Sequence, residues 1–222
     1  MGPNNEGNAA GRAKEFRAVI FDFGEVLCEA PDPAILVKMA ETFRMEPVKF
    51  IEKYHLSRPP YDRGDITPEE YWRGFTEREG VKASAAEREQ LRQWDLQMWS
   101  RIRPEMVKWA ESLGEAGYRT SILSNMQQDM VDHVRRSFPW VQSFTCQIFS
   151  AEVRSVKPEA KIYEACLACL DVAPEEALFV DDREVNLAAA REHGIAGVQV
   201  QSVEQLREEL RAIGFPVLPG ER

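Results

Sequence analysis

Positive charge is scarce in this 222-residue sequence: 28 Lys and Arg stand against 37 Asp and Glu, for a formal net charge of −9. General nucleic-acid binding needs a basic face, so that class is not expected. A small anionic ligand stays open, because one local pocket can oppose the global sign. No apolar run reaches the ~20 residues of a membrane helix, so no membrane association is expected. Residues 1–15, MGPNNEGNAAGRAKE, hold no apolar segment that would make a secretory signal and read as a flexible polar tail. Only three histidines occur, His55, His133 and His193, and none has metal-ligand spacing to another. His193, before Gly194, suits the end of a helix, where the dipole favours it. The four cysteines are too few for a disulfide framework in a chain of this length, which points to a reducing cytoplasm. Cys166 and Cys169 lie in the apolar, helix-like IYEACLACL; without a second ligand pair they read as small buried side chains.

What is present is an alternation of strands and helices. RAVIFDF (17–23), YRTSILS (118–124), 146–149, ALFV (177–180) and IAGVQV (195–200) read as buried strands. Helical segments over 104–116, 127–137, 159–170 and 185–193 separate the later ones, and Ser202 with Gln205 opens a last helix. This order predicts βαβ units and a parallel sheet with helices on both faces. Residues 29–101 contain no convincing strand but several helix starts, including Thr67-Pro68-Glu69-Glu70 and Ser84 with Glu87. The predicted architecture is therefore α/β: a Rossmann-like, three-layer core over 16–28 and 102–222, with a helical cap inserted over 29–101. Trp72, Trp94 and Trp99 are expected in the core of that cap, and Arg58 and Arg63 on its solvated surface.

In an open parallel sheet, ligands bind beyond the carboxyl ends of the strands. The first strand delivers Asp22 there, the second Ser124 and Asn125, the fourth Asp181 and Asp182. Lys157 precedes the helix that leads to the fourth. Clustered carboxylates repel one another unless a cation lies between them. Mg²⁺ accepts one or two carboxylates together with waters and phosphate oxygens. A carboxylate that attacks phosphorus would form an acyl phosphate, and Lys157 and Ser124 could stabilise the charge on the transferring group.

VIFDFGEVL (19–27) resembles the first motif of the haloacid dehalogenase (HAD) hydrolases, ILSN (122–125) the second, Lys157 in KPEAKIY (157–163) the third, and FVDDREVN (179–186) the fourth. YDRGDIT (61–67) is similar to a common cap segment. The start of the chain also looks like that of a branch with sugar-1-phosphatase and epoxide-hydrolase N-terminal-domain relatives. The resemblance implies that Asp22 is nucleophile and metal ligand, and that Ser124 and the Asn125 backbone hold phosphate. It further implies that Lys157 neutralises charge, that the Gly24 carbonyl and Asp182 bind Mg²⁺, and that Asp181 lies beside or on the metal. The expected partner is a small phosphorylated metabolite, with sugar phosphates among the candidates; oligomeric state is not legible.

One position departs from the family pattern. The acid–base Asp expected two residues after the nucleophile is Gly24. Losing such a group costs about 10²–10⁴-fold in rate. Three consequences stay open: a phosphatase for good leaving groups, a phosphatase whose acid is Glu25 or a cap residue, and a weak or inactive binding or regulatory module. A metal-independent dehalogenase with the same Asp nucleophile is a fourth, less suited to two acidic residues in the fourth motif.

Overall fold

The computed structural model describes residues 16–220; the tail expected over 1–15 lies outside the described residues. In chain order the elements are β1 (Ala18–Phe21), α1 (Pro33–Thr42), α2 (Pro47–Ser57), α3 (Pro59–Asp62), α4 (Pro68–Arg78), α5 (Ala85–Met98), α6 (Pro104–Glu115), β2 (Arg119–Ser124), α7 (Gln128–Ser137), β3 (Cys146–Phe149), α8 (Ser150–Val153), α9 (Ala160–Leu170), β4 (Ala177–Asp181), α10 (Glu184–Glu192), β5 (Ala196–Gln199) and α11 (Val203–Ala212).

The strands form one five-stranded parallel sheet in the order β3-β2-β1-β4-β5. β1 lies in the middle because all four of its residues are apolar and buried, as a strand covered on both faces requires. The period of two sends Val19 and Phe21 to one face and Ala18 and Ile20 to the other. The first face packs on α6, α7 and α11 through Trp109, Val131 and Leu206; the second packs on α9 and α10 through Ile162, Tyr163 and Leu187. The predicted three-layer α/β core is therefore present. The strand order reverses between β1 and β4, which opens a crevice at their carboxyl ends.

Between β1 and β2 the chain is helical from α1 to α5, with a separate apolar cluster that includes Phe50, Tyr61, Trp72 and Phe75. Both expected capping boxes form: Thr67 with Glu70 opens α4, and Ser84 with Glu87 opens α5. The two connections to this insertion run antiparallel, joined by a bridge between Cys28 and Ile102. Helix α3 lies against the sheet's carboxyl edge, where Ser150 Oγ donates to the Asp62 carbonyl at 2.6 Å. Gly64 beside it has φ +77°, and a Cβ there would lie 3.3 Å from the Ala151 carbonyl oxygen. That close approach of two backbones accounts for glycine in YDRGDIT. No helix among the described residues is long and apolar enough to cross a membrane.

The structure corrects the reading of the cysteines. Cys169 is joined to Cys146 in a disulfide that ties α9 to the amino end of β3. Cys166 is buried as expected, with its thiol donating to Ser121 Oγ at 3.4 Å. Spacing along a helix reveals which cysteines share a face, but not a partner more than twenty residues away.

Candidate active site

Three strand ends and one loop meet in the crevice. Immediately after β1, the Asp22 N–H donates to the Val180 carbonyl at 2.9 Å, which fixes the residue against β4. Its carboxylate then caps the following turn, with Oδ1 accepting from the Phe23 N–H at 2.6 Å. That turn is a wide one, closed by the Cys28 N–H on the Phe23 carbonyl at 2.9 Å. Glu25 within it has φ 55°, a left-handed conformation that costs a non-glycine residue roughly 1–3 kcal/mol and marks a locally constrained site.

Lys157 reaches the same point from the loop before α9. Its Nζ lies 2.9 Å from Asp22 Oδ1 and 2.7 Å from Asp181 Oδ2, and its side chain is almost wholly buried. Asn125, just past β2, grips the Lys157 backbone from both sides. Its Nδ2 donates to the Lys157 carbonyl at 3.0 Å, and its Oδ1 accepts from the Lys157 N–H at 2.7 Å. Asp181 is fully occupied as well. Besides Lys157 it accepts from the Arg183 N–H at 2.8 Å and from Asn186 Nδ2 at 3.0 and 3.1 Å. Asp182 differs: among the described residues its carboxylate accepts no hydrogen bond, and it faces the cavity. The Ser124 hydroxyl lines the same cavity and is likewise unpartnered among the described residues.

Asp22, Asp181 and Asp182 present oxygen atoms that all lie within 4.8 Å of one another. One ammonium faces these three carboxylates, so two negative charges stand in excess. The strain shows in the acidities. Burial pushes the Asp22 carboxyl up to about 6 against the pull of Lys157, with Asp181 adding to the rise. Burial, then the charges of Asp22 and Asp181, push Asp182 up to about 7. Lys157 is held above the usual lysine range: burial opposes its charge, but Asp181 and Asp22 outweigh burial. An all-oxygen donor set with a deficit of two positive charges fits a hard divalent cation such as Mg²⁺. Asp22 and Asp182 have oxygens to offer; Asp181 has spent its own on Lys157, Arg183 and Asn186.

The cavity over these groups measures about 350 Å³. Its far wall comes from the helical insertion, through Tyr54, His55, Arg58 and Trp99, and its flank from Met126 and Met130. Every residue singled out from the sequence lines this crevice or, for Asp181, lies directly beneath it. Several residues that sequence reasoning set aside are there too. Arg58 is buried rather than solvated, because Asp62 at 2.6 Å and Asp95 at 2.9 Å neutralise it. Trp99 packs on the insertion's cluster and on the sheet's cluster together, and so reaches the cavity instead of staying in the bundle core. His55 lines the mouth, where burial and the nearby Arg183 and Arg58 charges lower its pKa to about 4. Asn186 was legible only as part of FVDDREVN, one turn beyond the paired Asp. Arg63 lies at the surface, paired with Glu159 and Asp65.

The family model for haloacid dehalogenase-like hydrolases matches residues 16–194. Mouse acyl-CoA dehydrogenase family member 10 is 28% identical over 218 residues, which is 92% of this chain but 20% of that protein. Rat bifunctional epoxide hydrolase 2 is 30% identical over 125 residues, 53% of this chain and 23% of its own length. The chain thus spans about a fifth to a quarter of these curated relatives. Among solved structures, a HAD family enzyme from Bacteroides thetaiotaomicron in complex with magnesium and inorganic phosphate is 25% identical. It superposes with a TM-score of 0.69, over 84% of this chain and 94% of its own.

Proposed function

Since the chain belongs to the haloacid dehalogenase-like hydrolase family, we propose that it is a magnesium-dependent hydrolase of small phosphomonoesters that works through an aspartyl-phosphate at Asp22. One observation carries this reading. Lys157 is clamped between Asp22 and Asp181 at 2.9 and 2.7 Å, beside an unpartnered Asp182, in a site short of two positive charges. That arrangement suits a divalent cation, which would in turn offset the charge of a phosphate beside it.

The Asp22 carboxylate is the nucleophile. Its Oδ1 is fixed by Phe23 N–H and Lys157, which leaves Oδ2 to face the ester. As the bond from Asp22 to phosphorus forms, the bond from phosphorus to the leaving oxygen breaks, and that oxygen takes the electron pair. Water then attacks phosphorus and returns Asp22 as a free carboxylate with inorganic phosphate. Lys157 holds Asp22 ionised and balances charge on the transferring group, while Ser124 Oγ and the N–H of Asn125 hold phosphate oxygens. Asp22, Asp182 and the Gly24 carbonyl would hold magnesium, which would supply positive charge to the transferring group. Asp181 positions Lys157. The helical insertion over 29–101 serves as the cap that excludes bulk water from the closed site.

The test is phosphate release from p-nitrophenyl phosphate with magnesium or EDTA, run beside halide release from a 2-haloacid. Release of phosphate that needs magnesium supports the reading. Halide release indifferent to EDTA would establish a dehalogenase, and silence across a panel of phosphoesters a binding module.

A further inference from the structure

A leaving group departing in line from phosphorus must lie opposite Asp22 Oδ2, on the side of the helical insertion. The wall it meets there is largely aromatic, with Tyr54, His55 and Trp99, and its Arg58 is tied to Asp62 and Asp95. Trp99 is its nearest part to the nucleophile's turn: a Cβ built on Gly24 would lie 3.6 Å from Trp99 Cζ3 and 4.0 Å from Cε3. Among the described residues, and apart from chain neighbours, no other side chain comes within 4 Å of that point. The backbone at Gly24, φ −64° and ψ 132°, is open to any L-residue, so conformation does not demand glycine. A Cβ there would rest in ordinary van der Waals contact with the ring, and a carboxyl group extended beyond it in that direction would meet the indole.

The ring is held in place from behind. Trp99 Nε1 donates to Tyr54 Oη at 3.1 Å, and Tyr54 Oη donates to Asp95 Oδ1 at 2.5 Å. Asp95 Oδ2 accepts from Arg58 Nη1 at 2.9 Å and from Gln127 Nε2 at 3.1 Å. This network runs from the insertion to the turn after β2, so the indole is anchored to both. Its one N–H faces Tyr54, and the edge beside Gly24 is carbon. Among the other cavity groups, Lys157 lies between two carboxylates, Arg58 is paired with Asp62 and Asp95, and His55 is a weak base with no proton to give at neutral pH; Glu25 lines the cavity as well, on the constrained turn after Asp22.

Resting on the phosphohydrolase reading above, we propose that Trp99 is a specificity-determining residue whose apolar ring borders the proton-transfer position and keeps a proton donor from it. It thereby confines hydrolysis to phosphates whose leaving group departs as a stable anion. These are mixed carboxylic–phosphoric anhydrides and enol, aryl and hemiacetal phosphates; simple alkyl phosphates are excluded. The phosphorus–oxygen bond breaks with the electron pair going to the leaving oxygen, which takes its proton from water only after departure.

The experiment is a leaving-group series with magnesium: p-nitrophenyl, phenyl and ethyl phosphate, on the wild-type protein, Gly24→Asp, and Gly24→Asp with Trp99→Ala. The wild-type kcat/KM should fall steeply as the leaving alcohol becomes a weaker acid. Relative to p-nitrophenyl phosphate, the double variant should gain about 10²-fold on ethyl phosphate, the lower end of a general acid's contribution. Gly24→Asp alone should gain less than a tenth of that, since its carboxylate must compete with the ring. A shallow wild-type dependence, or equal gains in single and double variants, overturns the role of Trp99. No turnover of any ester overturns the phosphohydrolase reading instead, and this inference falls with it.

Discussion

Lys157 and Asp181 form a buried ion pair, 2.7 Å from Nζ to Oδ2, at the bottom of the crevice. Such a pair is costly to break from one side, because the remaining charge stays buried without a partner. Lys157→Met should destabilise the protein by about 3–5 kcal/mol. Lys157→Met with Asp181→Asn should recover part of that loss. Urea unfolding of both single variants and the double variant gives the coupling directly. Additive losses would mean that the two residues stand alone energetically.

Asn186 supports the same carboxylate with two contacts near 3 Å. Asn186→Ala leaves Asp181 under-satisfied, at a cost of about 1–3 kcal/mol. Phosphate release should fall through kcat more than through KM, because Lys157 loses its fixed position while the phosphate-facing groups remain. Unchanged kinetics would show that Lys157 needs no help from this side.

The acidities give a pH test. The Asp22 and Asp182 carboxyls are raised to about 6 and about 7 in the folded protein, by burial first. The folded form therefore keeps protons that the unfolded chain has already lost, so stability falls as pH rises from the ordinary carboxylate range through this window. Magnesium needs the ionised oxygens, so its stabilising effect should grow over the same window. Thermal melts should show Tm declining with pH in EDTA and the decline removed by saturating magnesium. Asp182→Asn should abolish most of the magnesium effect; a shift independent of both pH and Asp182 would contradict the assignment.

The disulfide stands apart from this chemistry. Cys146 lies at the amino end of β3, whereas the crevice lies at the carboxyl ends. Its two sulfurs close a loop of 23 residues, a constraint whose removal costs about 3 kcal/mol in the chain-entropy picture. Cys146→Ser should lower Tm without changing the dependence of phosphate release on magnesium. Loss of that dependence would tie the bridge to the site.

Most of the fold was legible because its signals are local. AVIF and ALFV are continuous apolar runs, and Thr67 and Ser84 carry their own capping partners three residues on. The convergence of Asp22, Ser124 and Asp182 followed from one topological rule about strand ends, whereas Lys157 comes from a loop and was marked by its motif. What escaped was set by contacts across the chain. Nothing near Trp99 in the sequence says that its ring lies over Gly24, because that contact needs the insertion folded against the sheet. Arg58 looks solvated until Asp62 and Asp95 are brought to it, and Cys169 looks like packing until Cys146 is placed beside it.

In the proposed reaction Asp22 carries the phosphoryl group. The direct measurement is acid quenching during turnover of p-nitrophenyl phosphate, followed by mass spectrometry of the peptides. The predicted result is a magnesium-dependent phosphoryl adduct on Asp22 that is absent from Asp22→Asn, which should also lose phosphate release by about 10⁴-fold or more, the scale of losing a covalent nucleophile. Phosphate release by Asp22→Asn at the wild-type rate, or an adduct on a different residue, would contradict it.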